Sequence, residues 1–143
     1  MGPMVLPILL IEDNPIDLDL TRRAFFSRRL SNPIEVARDG EEALAFIHRW
    51  DGGESIPAVI LLDLRLPKVN GLEFLREIKC HPSYKTIPVI IMTASPQDSE
   101  IEEACKLGVG SYIVKPVNFE KFMDVLGRME LNWLVISSPL RGD

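Results

Sequence analysis

Apolar positions along this chain alternate between two rhythms. Short, β-branched, nearly continuous runs recur at residues 6–11, 34–37, 58–62, from 89 onward after Pro88, and at 111–114. Runs of this kind, flanked by turn residues, predict strands buried on both faces of a parallel sheet. Between them the apolar residues return at helical spacing. Ile16, Leu20, Ala24 and Phe25 share one face; Ala43, Leu44, Phe46 and Ile47 a second; Leu72, Leu75 and Ile78 a third; Phe122, Val125, Leu126 and Met129 a last. The punctuation agrees. Asn14-Pro15 opens a first helix expected to run to about Arg29, ahead of the break at Asn32-Pro33, and Asp39-Gly40 and Asp51-Gly52-Gly53 bracket a second. The loop 67–71 leads into a third that ends at His81-Pro82. A fourth covers 98–107 and stops at Gly108, and Asn118 caps a final helix reaching roughly Trp133.

Five βα units joined by short loops imply right-handed crossovers, helices on both faces of the sheet and an α/β fold. A chain of 143 residues fits one domain with a real core. The expected division is a tail at 1–5, the domain at 6–133 and a tail at 134–143, with no output domain. The net charge of -5 argues against a nucleic-acid footprint, and Arg22-Arg23 with Arg28-Arg29 reads as a solvated helix face. Cys80 and Cys105 fall on separate helices without metal-type spacing, as reduced cytosolic thiols do. No apolar stretch approaches the ~20 residues of a membrane span and no leader pattern opens the chain, so a cytoplasmic protein is expected.

The chemistry gathers where strands end. The first run meets Glu12-Asp13, the third Asp63, the fourth Thr93 and the fifth Lys115-Pro116. In open parallel sheets, ligands bind beyond the carboxyl ends of the strands. Three carboxylates brought together there raise one another's pKa unless a cation intervenes. A hard ion such as Mg²⁺ serves, taking one or two carboxylates plus water and phosphate oxygens. Lys115 adds a mobile positive charge and Thr93 a hydroxyl, a set suited to phosphoryl transfer. Each residue alone has an ordinary explanation, as a loop acid, a turn or a strand former. Their joint placement at four strand ends is the signal.

Those residues carry a resemblance. Glu12-Asp13-Asn14, the segment from Leu61 through Asp63, Arg65 and Pro67 with Gly71, Thr93-Ala94 and Lys115-Pro116 resemble receiver domains of two-component response regulators, from Leu6 to about Trp133. The resemblance implies a flavodoxin-like, doubly wound (βα)5 fold whose five-stranded parallel sheet has the order 2-1-3-4-5. It implies that Asp63 is the phosphoacceptor, served by a histidine kinase or histidine phosphotransfer protein. Asp13, Asp63 and the backbone carbonyl of Arg65 are then the Mg²⁺ ligands, with Glu12 acting through water where many relatives carry Asp. Lys115 pairs with phosphoryl oxygens across a cis bond to Pro116, Thr93 and Tyr112 form the switch, and Ala94 leaves the acceptor open. The only chemistry expected is the protein's own phosphorylation and dephosphorylation, so it is a signalling phosphoacceptor and not an enzyme with a separate substrate.

Finer features resemble the single-domain regulators associated with bacterial and cyanobacterial phytochromes: Ile11 through Leu18, Pro67-Lys68, Tyr84 through Pro88 and a Trp-bearing C-terminus. That subgroup implies a homodimer through helix four, strand five and helix five, and Leu131, Trp133 and Leu134 are candidates to extend the apolar contact. Arg65 is expected beside the attacking water's path, where its charge and bulk alter acyl-phosphate lifetime. His48 and His81 read as surface residues at helix ends, and Trp50 as the close of the second helix. An aspartyl-phosphate phosphatase of the haloacid-dehalogenase type needs a second Asp where Arg65 stands, and no Gly-rich phosphate loop follows the first strand. A receiver-like docking module that is never phosphorylated remains the alternative.

Overall fold

A computed structural model describes residues 6–28 and 30–129. The elements alternate in chain order: β1 (Ile8–Ile11), α1 (Pro15–Phe26), β2 (Ile34–Ala37), α2 (Gly40–Asp51), β3 (Val59–Asp63), α3 (Gly71–Cys80), β4 (Val89–Thr93), α4 (Ser99–Lys106), β5 (Tyr112–Val114) and α5 (Phe119–Arg128). The strands form one parallel sheet in the expected order β2-β1-β3-β4-β5.

Every residue of β1, β3 and β4 is buried, which explains their unbroken apolar runs. Successive side chains serve opposite layers. Leu9, Ile11, Ile60, Leu62 and Ile91 pack with residues of α2, α3 and α4, while Ile8, Leu10, Leu61, Ile90 and Met92 pack with Leu18 and Phe25 of α1 and Phe122 and Leu126 of α5. Among the described residues no helix is long and apolar enough to cross a membrane.

Two helix ends depart from expectation. α1 closes at Phe26, short of Arg29, with Ser27 as its cap bonding back to the Arg23 and Phe25 carbonyls. The cause is tertiary: buried Asn32 donates to the Leu6 carbonyl at 2.9 Å and Pro33 accepts from the Ile8 N–H at 2.8 Å, so the chain must already be turning back toward the sheet. Further helix would also have little to pack on, since Phe26 is 85% exposed. α5 closes at Arg128 with Met129 as its cap, and Leu131, Trp133 and Leu134 lie outside the described residues.

The register aligns the functional ends. Ile11 pairs with Leu62, Asp63 with Met92 and Thr93 with Val114, so Glu12, Asp63, Thr93 and Lys115 stand along one rim. Asp63 is itself the last residue of β3 rather than the first beyond it. α3 starts tight against this rim: a Cβ on Gly71 would lie 2.5 Å from Leu64 Cα and 2.7 Å from the Asp63 carbonyl oxygen.

Candidate functional site

Lys115 is the centre of the rim. Its Nζ lies 2.7 Å from Asp63 Oδ2, 2.8 Å from Glu12 Oε1 and 3.2 Å from Asp17 Oδ2, and its bond to Pro116 is cis. The other Asp63 oxygen accepts the backbone N–H of Arg65 at 2.9 Å. Glu12 turns its second oxygen to the Asn14 N–H at 3.1 Å. Asp13 is exposed, and oxygens of Glu12, Asp13 and Asp63 lie within 4.8 Å of one another. These are the three acids that strand-end placement picked out. Asp17 joins them from the first turn of α1, which Asn14 starts by accepting the Ile16 and Asp17 N–H groups.

The electrostatics follow from burial. Glu12, 1% exposed, has its pKa raised to about 7: desolvation is the main cause, Asp63 adds to it and Lys115 partly offsets it. Burial alone would weaken the Lys115 ammonium, but its bonds and charge pairing with Asp63 and Glu12 outweigh that, so its pKa stands above the ordinary lysine value. One cation therefore serves three carboxylates, with Asp13 a fourth acid beside them. Glu12 Oε1 is buried without an aligned hydrogen bond and has only the ion-pair contact to Lys115. An excess of oxygen donors on an open rim is the donor set of a hard divalent cation.

A cavity of about 60 Å³ opens beside Asp63, lined in part by Arg65, Thr93, Ala94, Asp98 and Lys115. Thr93 does not yet address Asp63; its Oγ1 donates to the Ser95 carbonyl at 2.8 Å and accepts the Ser95 N–H at 3.2 Å. Tyr112 lies outside the cavity, 41% exposed, beside Val125 and Arg128. Arg65 lines the cavity beside Asp63, as expected, but carries partners the sequence did not point to. Its guanidinium is drawn to Asp98 Oδ2, with Nε at 3.0 Å and Nη2 at 2.7 Å, and stands 3.5 Å from Glu100.

Asp17 and Asp98 were not among the candidates from sequence. Asp17 had one readable cue: three residues past the Asn14 cap, it sits in the helical turn that rises directly from the strand end. Asp98 had only its place at the head of a helix. The remaining tempting residues stay apart. His48 is exposed, and half-buried His81 stacks on Tyr84 at 4.2 Å. Trp50 is buried in the core against Phe46 and Tyr84, and Cys80 and Cys105 are exposed free thiols.

A family model described as the response regulator receiver domain matches residues 8–127. The probable methanogenesis regulatory protein FilR2 of Methanothrix harundinacea is 40% identical over 128 residues, 89% of this chain and 83% of the relative. Response regulator Rcp1 of Synechocystis is 34% identical over 129 residues, 89% of this chain and 88% of its own length. A solved Mn(2+)-bound form of Rcp1 superposes with a TM-score of 0.71 at 32% identity, covering 94% of this chain and 99% of that one. The bacteriophytochrome response regulator AtBRR superposes with a TM-score of 0.85 at 39% identity, covering 95% of this chain and 100% of that one.

Proposed function

The chain belongs to the response regulator receiver domain family, and from that footing we propose that Asp63 accepts a phosphoryl group in a Mg²⁺-dependent reaction. The donor is a phosphohistidine of a histidine kinase or histidine phosphotransfer protein. Its P–N bond breaks as a P–O bond to an Asp63 oxygen forms, and the leaving imidazole nitrogen recovers a proton. The observation that carries the reading is the engagement of Asp63: one oxygen faces the Lys115 ammonium at 2.7 Å, while Glu12, Asp13 and Asp63 gather oxygens within 4.8 Å. The side chains of Asp13 and Asp63 and the Arg65 carbonyl would hold the metal, with Glu12 acting through water, and the bound ion would neutralise charge on the transferring group. The Mn(2+)-bound form of Rcp1 supports divalent-metal binding by a receiver of this kind.

Lys115 then passes from a carboxylate partner to a phosphoryl partner, and Thr93 exchanges its Ser95 carbonyl for a phosphoryl oxygen. Tyr112 turns inward in the same shift, so the message leaves through α4, β5 and α5, the face on which two copies associate. The likeness to a bacteriophytochrome response regulator makes a phytochrome-type histidine kinase the first partner to try. Intact-mass measurement after incubation with acetyl phosphate and Mg²⁺ tests the core of the proposal. One phosphoryl adduct is expected on the parent and none on Asp63→Asn. No adduct from acetyl phosphate or any histidine kinase would overturn it in favour of a docking module.

A further inference from the structure

Arg65 is held more firmly than its exposure suggests. Its side chain is 70% exposed, yet two guanidinium nitrogens bond Asp98 Oδ2, and Asp98 itself is only 11% exposed. The other Asp98 oxygen caps α4 by accepting the Glu100 N–H at 3.0 Å. Arg65 thus ties the loop after the acceptor to the first turn of α4. The same loop bonds Asp63 through the Arg65 N–H, and Arg65, Asp98 and Asp63 all line one cavity. Among the described residues lining it, Arg65 and Lys115 are the cations, and Lys115 is already shared among three carboxylates. On the other side, α4 begins with Asp98, Glu100, Glu102 and Glu103 and fully buries only Ala104.

Resting on Asp63 as the phosphoacceptor, we propose that Arg65 is a charge-driven latch, bound to Asp98 before phosphorylation and to the phosphoryl group after it, so that phosphorylation releases the first turn of α4. The physical drive is a change in the better anion. A singly charged carboxylate becomes a group of roughly two negative charges with three strong acceptor oxygens. Guanidinium matches phosphoryl oxygens with two parallel N–H donors, which a saturated ammonium cannot do. Departure of Arg65 leaves Asp98 and Glu100 adjacent without their counter-ion, and like charges loosen a turn that little packing holds. The two partners of one guanidinium define the two states, and the phosphoryl group biases them by differential binding.

Hydrogen exchange at α4 reads this latch, with intact mass measured on the same samples under excess acetyl phosphate and Mg²⁺. In the parent, phosphorylation should speed exchange of the 100–104 amides about two- to fivefold, the ratio an ion pair of this exposure supports. Asp98→Asn keeps a capping oxygen but loses the ion pair. It should show the faster exchange without phosphorylation, with little further gain on phosphorylation, and Arg65→Ala should behave alike. Asp98→Asn should also take up phosphoryl faster than the parent, an advantage erased in the Arg65→Ala/Asp98→Asn double variant. An adduct with unchanged α4 exchange overturns the latch and leaves Asp63 as the acceptor; so does an equal exchange gain in Arg65→Ala. No adduct overturns both.

Discussion

α3 buries Gly71, Leu72, Phe74, Leu75 and Ile78, whereas α4, its neighbour over the same face of the sheet, buries only Ala104. Both helices follow strands that end in site residues, and both are capped by a side-chain oxygen, Asn70 bonding the Glu73 N–H and Asp98 the Glu100 N–H. The difference lies beneath the caps. Gly71 jams α3 against Leu64, fixing the end of β3 at Asp63 and the loop that carries Arg65, while α4 buries little and is tied by an ion pair. One side of the rim is therefore a frame and the other a part that can respond. If the latch proposed for Arg65 holds, a phosphoryl group on Asp63 should move α4 before α3.

Core truncation should separate the two helices most. Phe74 is 0% exposed, and Phe74→Ala should cost about 3–5 kcal/mol in urea unfolding. Ile101 of α4 is only half-buried, so Ile101→Ala should cost about 1 kcal/mol. Equal losses would break the distinction between frame and responsive part.

The glycines at the two helices should differ next, and for different reasons. At Gly71 the obstacle is space, with Leu64 and Asp63 backbone in the way, so Gly71→Ala should cost about 3 kcal/mol and slow phosphoryl uptake by displacing Asp63. At Gly108, just past α4, a Cβ meets nothing within 4 Å but φ is +98°, so Gly108→Ala should cost about 1 kcal/mol and leave uptake unchanged. Thermal unfolding with an acetyl phosphate time course reads both. Slowed uptake in Gly108→Ala would mean that α4's end positions the acceptor too.

Much of this frame was legible in the sequence because burial on both faces writes itself as unbroken apolar runs, as in β1, β3 and β4. Glu12, Asp13, Asp63, Thr93 and Lys115 were legible for a related reason: in a parallel sheet the residue after each run lands on one rim. Helix ends were less so. Arg28 and Arg29 continue a helical composition, but α1 stops where Asn32 bonds Leu6, a contact between distant residues that composition does not encode. Asp17 and Asp98 escaped notice for the same cause. Each sits at a helix start, where an acid is ordinary, and only packing shows that one reaches Lys115 and the other Arg65. Arg65 itself was picked out, but its partner Asp98 was not, because the contact joins residues 33 apart in the chain.

The smallest contrast lies in the caps, and pH isolates it because Asn70 does not titrate while Asp98 does. The Glu100 N–H is the main cause that holds the Asp98 carboxyl below its ordinary value of 3.8, and Arg65 adds to it. A carboxyl whose folded pKa is depressed contributes stability that is complete above the unfolded value and lost as pH falls through the folded one. Lowering the pH from 5 to 3 should therefore begin to loosen the first turn of α4 while that of α3 stays closed. Amide resonances report this directly: the Glu100 N–H should shift and lose protection relative to the intrinsic exchange rate at each pH as its acceptor takes up a proton, and the Glu73 N–H, bound to Asn70, should keep its protection. Asp98→Asn should remove Asp98's share of the Glu100 response, since the amide caps without titrating. If Glu73 moves in step with Glu100, the acid effect is a loosening of the whole face, and α3 is no more a frame than α4.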